Sequence, residues 1–320
     1  MDPVINRLDL KTLWYYICVV EAGSLSRAAI RLHIAQPALG NRILQLEQSL
    51  NVQLLNRGPY GVVSTKEGQA FYEAAKRIVR DVQTAANDVR SMDKLVAGQV
   101  KLGSLVSSAR MFSADLVLKV IRDHPDIRLS FLSASSAEIH RRLVAGELDL
   151  GLMFRNAEAD NLLGTPLIRE EMLFARAATG NPIEESIPFD EVMKMPLVLT
   201  VHTAFSMRHV VEKAFNLRGV APTVVAELDC PSTMETLVKS GVASTIVPWS
   251  AIHLAVERGE ISVSQMTGLD MSRIIELCRR DDRPFSPAAE LVEKIVIRDV
   301  RLLIEAGKWR FAHLLGEAAV

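Results

Sequence analysis

Along the first ninety residues the apolar positions repeat at helical spacing. Leu10, Leu13, Trp14, Ile17 and Cys18 predict a first helix ending near Glu21-Ala22-Gly23. Ser24 is a natural cap for a second, Leu25 to His33, with Leu25, Ala28, Ala29 and Leu32 inward. A break at Ile34-Ala35 and then Pro37, tolerated in a first helical turn, introduce a third helix. Its buried stripe is Leu39, Ile43, Leu46 and Leu50, and at about 100° per residue Asn41, Gln45 and Gln48 face the other way. Leu54-Leu55-Asn56-Arg57 and Val62-Val63-Ser64 flank Gly58-Pro59-Tyr60-Gly61, which reads as a hairpin. Ser64 or Thr65 can then cap a long helix, with Glu67 placed for a capping box begun at Ser64. In it Phe71, Ala75, Ile78, Val82, Ala85, Val89, Met92 and Val96 alternate steps of four and three, a heptad seam that Gly98 ends.

Beyond Gly98 short apolar runs alternate with amphipathic stretches. Strands are predicted at Val100–Val106, Ile127–Leu132 and Leu148–Phe154, with helices Ala109–His124 and Ala137–Ala145 between them. Such alternation implies a parallel sheet with right-handed crossovers. A second set follows: strands Glu171–Ala175, Leu197–Val201, Val224–Leu228 and Thr245–Val247, and helices Ser206–Leu217 and Thr233–Lys239. Ser272–Cys278 returns as a strand, and Ser286-Pro287 begins a final helix. The order predicts two α/β lobes joined by crossing segments near Asp160–Pro166 and Met266–Met271. The domains expected are 1–65, 66–98 and 99–320, with the first lobe about 99–162 and 270–300 and the second about 163–269.

Composition changes this picture little. With 49% hydrophobic and 23% charged residues the chain reads as globular, and no apolar stretch reaches the length of a membrane span. The N-terminus lacks the basic and apolar regions of a signal peptide, so a cytoplasmic location is expected. Three scattered cysteines, Cys18, Cys230 and Cys278, give neither a disulfide framework nor a zinc site. Charge is more informative. The chain's net charge is -1, yet Arg27, Arg31, Arg42, Arg57 and Lys66 against Glu47 give the segment 24–66 a local +4.

Two short helices joined by a tight turn, the second with an amide-rich outer face beside Arg42, fit a helix-turn-helix whose second helix enters a major groove. Asn and Gln suit adenine edges and Arg suits guanine edges. The hairpin is then a wing, with Arg57 placed to meet phosphate. The narrow seam of the long helix, flanked by charges, calls for a partner helix from a second copy.

The run Ala22-Gly23-Ser24-Leu25-Ser26-Arg27-Ala28-Ala29-Ile30-Arg31-Leu32-His33-Ile34-Ala35-Gln36-Pro37-Ala38-Leu39, followed by Leu46-Glu47 and Leu54-Leu55-Asn56-Arg57, resembles the DNA-binding signature of LysR-type transcription regulators. Three later pieces resemble the sensing domain of that family: Leu143 to Leu152, Leu237 to Val242, and Ile246-Val247-Pro248. Details at Ala35–Leu39 and Ala214–Arg218 are similar to its nitrogen assimilation control branch. The resemblance implies an α/β chain with an N-terminal all-α winged helix-turn-helix, a long dimerising linker helix and a two-subdomain sensing domain like a periplasmic binding protein. Many members carry serine where this chain has Ala35 and Gly40, and a basic residue in place of Asn41.

On this basis the DNA-contacting residues expected are Ser24, Arg27, Arg31, Gln36, Pro37, Gly40, Asn41, Arg42, Gln45 and Arg57. The dimerising ones are Phe71, Ala75, Ile78, Val82, Ala85, Val89 and Met92. Effector-binding segments follow the first two strands of the sensing domain, Ser104, Ser107 and Ser108 and then Ser135 and Ser136, with His202, Thr203 and Phe205 from the other lobe. Hydroxyls at helix N-termini favour an anionic effector, although as caps they also serve structure alone. The partners implied are double-stranded DNA, a small-molecule effector, RNA polymerase and further copies in a homodimer or homotetramer, with no membrane and no cofactor. No nucleophile elbow, His-Glu-x-x-His, Walker loop or dinucleotide fingerprint is present, so an enzyme is not expected. An effector-independent regulator and a nonspecific architectural DNA-binding protein stay open as alternatives.

Overall fold

Asp9 opens the first helix by accepting the N–H of Thr12 at 2.6 Å, and Gly23, in a left-handed conformation, closes it (α1, Leu10–Ala22). Ser24 accepts the N–H of Arg27 at 3.4 Å and starts α2 (Leu25–Leu32). Ala35 makes no capping bond to α3 (Gln36–Leu50), whose first turn is preset by Pro37. The hairpin follows as β1 (Leu55–Gly58) and β2 (Gly61–Ser64), antiparallel with Leu55 opposite Ser64. The long helix is α4 (Lys66–Ser91). Its cap is Thr65, whose hydroxyl accepts the N–H of Gly68 at 2.9 Å, so the box expected from Ser64 to Glu67 does not form. Ser64 is still the last residue of β2.

The computed structural model describes residues 8–58, 61–91, 96–154, 162–178, 185–201, 207–282 and 284–315, and within α4 the side chains of 80, 81 and 83–91 lie outside the description. The chain divides into two compact units, 1–94 and 95–320. The first is cored by Tyr16, Cys18, Leu39, Ile43, Leu46 and Leu54. Each fully buried aliphatic side chain of that set contributes about 1.5–3 kcal/mol.

In the second unit β3 (Gly98–Leu105), α5 (Val106–Asp123), β4 (Ile127–Ala134), α6 (Ser136–Val144) and β5 (Leu150–Phe154) form a doubly wound start, with β3 parallel to β4 on one side and to β5 on the other. A sixteen-residue strand, β6 (Leu162–Ala177), comes next. Then come β7 (Ser186–Pro188), α7 (Phe189–Val192), β8 (Leu197–Thr200), α8 (Arg208–Leu217), β9 (Val224–Leu228), α9 (Pro231–Lys239), β10 (Thr245–Pro248), α10 (Trp249–Glu257) and β11 (Ile261–Thr267). The chain returns through β12 (Ser272–Arg280), α11 (Pro287–Glu305) and β13 (Ala312–Leu314). The main sheet is ordered β4-β3-β5-β12-β6-β11-β7, with β10 and β13 also on β6.

Two expectations change here. The sheet is mixed rather than wholly parallel, because β12 is antiparallel to both β5 and β6. The first crossing also lies later than expected. Residues 162–166 already sit inside β6, and 163–171 pair with β12 of the first lobe instead of belonging to the second. The chain passes over at Met172, whose N–H donates to Met271 O at 2.8 Å, and β6 then pairs with β10 and β11. One strand is thus shared by both lobes. The second crossing falls within the expected segment Met266–Met271.

Candidate functional site

On α3, Leu39, Ile43 and Leu46 face the core, while Gln36 and Pro37 of the first turn and Asn41, Arg42 and Gln45 further along are exposed. A Cβ at Gly40 would meet nothing within 4 Å, so the glycine there leaves this face open rather than relieving a clash. Arg27 is exposed on α2, and Arg31 pairs with Glu21 at 2.9 Å. Ser24 is engaged as a cap. Arg57 stands on β1 opposite Val62, one pair before Gly58 and Gly61 rather than at the base of the wing, its guanidinium 3.3 Å from Glu47. The other oxygen of Glu47 accepts the N–H groups of Leu54 at 2.8 Å and Leu55 at 3.0 Å, so one carboxylate ties α3 to the wing and aims Arg57. The wing docks on the turn between α1 and α2, where Val62 N–H donates to Gly23 O at 2.9 Å. Gly61, with φ of +125°, is required at that contact, since a Cβ would stand 2.4 Å from Gly23 O.

The long helix divides its seam between two tasks. Ala75 is fully buried against Leu13 and Ile17 of the chain's own α1, and Phe71 meets Tyr16 edge-on at 5.3 Å. Both were expected between subunits and instead hold the unit together, because the first two turns of α4 share one face with α1. Ile78 and Val82 lie further along and are 46% and 44% exposed. Met92 lies outside the described residues, as do the side chains of Ala85 and Val89. Leu10 and Trp14, apolar positions of α1, are exposed as well.

In the second unit a cavity of about 420 Å³ opens at the carboxyl ends of β3 and β4. Its walls are mostly apolar, from Leu105, Val106 and Phe154 on one lobe to Leu228, Met234 and Val247 on the other. Ser107, Ser135 and Ser136 line it as expected. Ser135 caps α6, and Ser136 accepts the N–H of Phe154 at 3.1 Å. Ser104 and Ser108 do not line it; both are fully buried, and the hydroxyl of Ser108 has no hydrogen-bond partner among the described residues. The reason is geometric: Ser108 sits about 100° round α5 from Ser107, on the core side. His202, Thr203 and Phe205 lie outside the described residues.

Five further polar side chains line the cavity that were not expected there from sequence: Arg110, Thr200, Asp229, Cys230 and Arg273. Arg273 and Glu170 form a pair in which both side chains are 1% exposed. Arg273 also donates to Ser107 at 2.8 Å, and Glu170 accepts from the indole of Trp309 at 2.6 Å, so every strong group of this network has a partner. Arg110, on α5, reaches across to the carboxylate of Glu235 on α9 and to Ala251 O on α10 at 2.6 Å. Hydrogen bonds from Ser232 and Thr233 at the start of α9 hold the exposed Cys230 thiol down at about 7. A signal for Arg273 was present: it shares the inward register of β12 with Ile275 and Leu277, an odd place for a charge. Arg110 stands one helical turn beyond Ser107, on the same face.

Two family models match the chain. Residues 10–69 match the bacterial regulatory helix-turn-helix protein of the lysR family, and residues 93–299 match the LysR substrate binding domain. The chain belongs to the LysR family. It is a DNA-binding transcription regulator with an effector-binding domain, and the family is one of regulators rather than enzymes. Among curated LysR-type relatives, the nitrogen assimilation regulatory protein nac of Klebsiella aerogenes is 27% identical over 291 residues, 91% of this chain and 94% of that protein. The nac protein of Escherichia coli K12 is 26% identical, over 95% of this chain and 99% of its own length. The fold is shared with CbnR complexed with its target DNA, at 21% identity and a TM-score of 0.68 over 91% of this chain and 100% of that one. Full-length BenM gives 22% identity and a TM-score of 0.56 over 94% and 98%. Among the described residues no helix is long and apolar enough to cross a membrane, and no group of histidines, cysteines and acids is arranged to hold a metal.

Proposed function

We propose that this LysR-type regulator reads operator DNA with Gln36, Pro37, Asn41, Arg42 and Gln45 of α3 in the major groove, while Arg27, Arg31, Arg57 and the turn at Ser24 contact phosphates and Gly40 allows close approach. The observation that carries the reading is the polarity of α3: three buried aliphatics, Leu39, Ile43 and Leu46, on one side, and exposed amides and an arginine, Asn41, Arg42 and Gln45, away from it. The local +4 of this segment supplies the phosphate attraction. A second copy pairs along α4 through Ile78, Val82 and the positions beyond them, which sets the spacing between two recognition helices. Dimers associate into tetramers, the protein acts in the cytoplasm, and it meets RNA polymerase at promoters. A small effector occupies the cavity lined by Ser107, Ser135 and Ser136, with His202, Thr203 and Phe205 contributing from the second lobe.

Selection of duplexes from a randomised pool tests the DNA-reading claim. Wild-type protein is expected to enrich a dyad-symmetric site, and Arg42→Ala and Gln36→Ala to relax single positions within it, each costing about 1–3 kcal/mol. Uniform recovery of the pool by wild type would overturn the claim and favour packaging of DNA without sequence preference.

A further inference from the structure

Of the two arginines on the cavity wall, one is committed to structure. Arg273 and Glu170 are buried together, and removing either partner would leave an uncompensated charge in the interior. Arg110 differs. Its side chain is 23% exposed, and its counter-ion, Glu235, belongs to the opposite lobe. The guanidinium therefore joins three elements at once: α5, on which it stands, α9 through Glu235, and α10 through Ala251 O. The contacts bridge residues 125 and 141 positions apart in sequence, and they lie on the wall of the cavity itself.

We propose that Glu235 is a built-in competitor for the effector. Among the described residues its carboxylate occupies the cavity arginine that an incoming carboxylate can take, so an anionic ligand binds by displacing Glu235 and, in doing so, releases the ion pair that ties α5 to α9. The ligand class follows from the same geometry: one carboxylate for Arg110, attached to an apolar body for the surrounding leucine, valine and methionine side chains. Among the described residues a dianion finds no second free arginine on the cavity wall, since Arg273 is held by Glu170. An uncharged molecule of the same shape gains nothing from Arg110 and leaves that ion pair intact. The inference rests on the reading of the cavity as the effector site. It adds that closure without ligand is held by the chain's own carboxylate, and a ligand shifts the lobes only as far as it replaces that contact.

Calorimetric titration of the full-length protein with sodium hexanoate, and separately with hexanamide, tests the proposal. If Arg110 is free in about one molecule in ten, the apparent affinity for a carboxylate lies about tenfold below its intrinsic value. Glu235→Gln is therefore expected to bind hexanoate about tenfold more tightly than wild type, with hexanamide unchanged. The double variant Arg110→Gln with Glu235→Gln, which leaves no charge unpaired, is expected to lose that gain. Without ligand, amide hydrogen exchange in 106–112 and 231–239 should rise in Glu235→Gln while the rest of the unit keeps its protection, which also shows that the variant is folded. Equal hexanoate affinity in wild type and Glu235→Gln, or a gain that persists in the double variant, overturns the proposal. So does the absence of hexanoate binding to every protein. In that case hexanamide still binding all three would leave the cavity standing as a ligand site, and binding of neither molecule would count against both readings.

Discussion

At Gly68 a single hydrogen atom separates two segments of the DNA-binding unit. A Cβ there would stand 1.9 Å from Leu54 O and 2.8 Å from the hydroxyl of Tyr16. Tyr16 is fully buried, donates its hydroxyl to Gly68 O at 3.0 Å, and its phenol is pushed up to about 12 by burial. Alanine in a helix is ordinarily better than glycine by about 1 kcal/mol. Here overpacking wins: Gly68→Ala is expected to destabilise by about 1–3 kcal/mol, seen as a lower melting temperature and loss of operator binding on mild warming. His253 gives a prediction in pH. Burial lowers its pKa below the ordinary 6.5, opposed by a hydrogen bond from the imidazole to Ser250 O and aided by the charge of Arg110. As pH falls below 6.5 the unfolded chain takes up a proton that the folded chain refuses, so stability declines toward acid pH. In His253→Gln that part of the decline should vanish, which urea titrations at a series of pH values would measure; an unchanged slope would refute it.

Among elements, α4 separates two kinds of apolar position that share one heptad pattern. Ala75 is enclosed by α1, whereas Ile78, one turn on, is open. Aspartate at each site should therefore fail differently. Ala75→Asp buries an unpaired carboxylate and is expected to unfold the unit. Ile78→Asp and Val82→Asp are expected to leave the helical circular dichroism intact while the sedimentation coefficient falls to that of a monomer and operator footprints disappear. Dimers persisting in both would remove α4 from the subunit contact. This division was not legible in the sequence, because a period of 3.5 residues satisfies a neighbour within the chain as well as one outside it. Helix α3 was legible: Leu39, Ile43, Leu46 and Leu50 lie on one stripe, and Pro37 marks its start.

At the scale of the whole molecule, sequence spacing predicted β3, α5, β4, α6, β5 and β12 of the first lobe, with Ser286-Pro287 at the start of α11, but not β13. It missed the continuity of β6, because a strand whose two halves pack in different lobes changes its burial pattern midway. It also missed α10, which follows directly on Pro248 of β10 without a polar break, and β11, which comes after it beyond Arg258-Gly259-Glu260. The paired charges were beyond reach for another reason. Arg273 and Glu170 are 103 positions apart, and only the closed sheet brings them together.

That shared strand sets the order in which the sensing domain can be made. The second lobe, bounded by Met172 and Met271, is inserted within the first, and β12, which completes the first lobe's sheet, and α11, which covers it, leave the ribosome after all of it. On a nascent chain β3, β4 and β5 must therefore wait with an apolar face uncovered while later residues finish folding ahead of them. Synthesis paused near residue 270 would hold this protein at its most aggregation-prone stage, with one lobe complete and the other still lacking its lid.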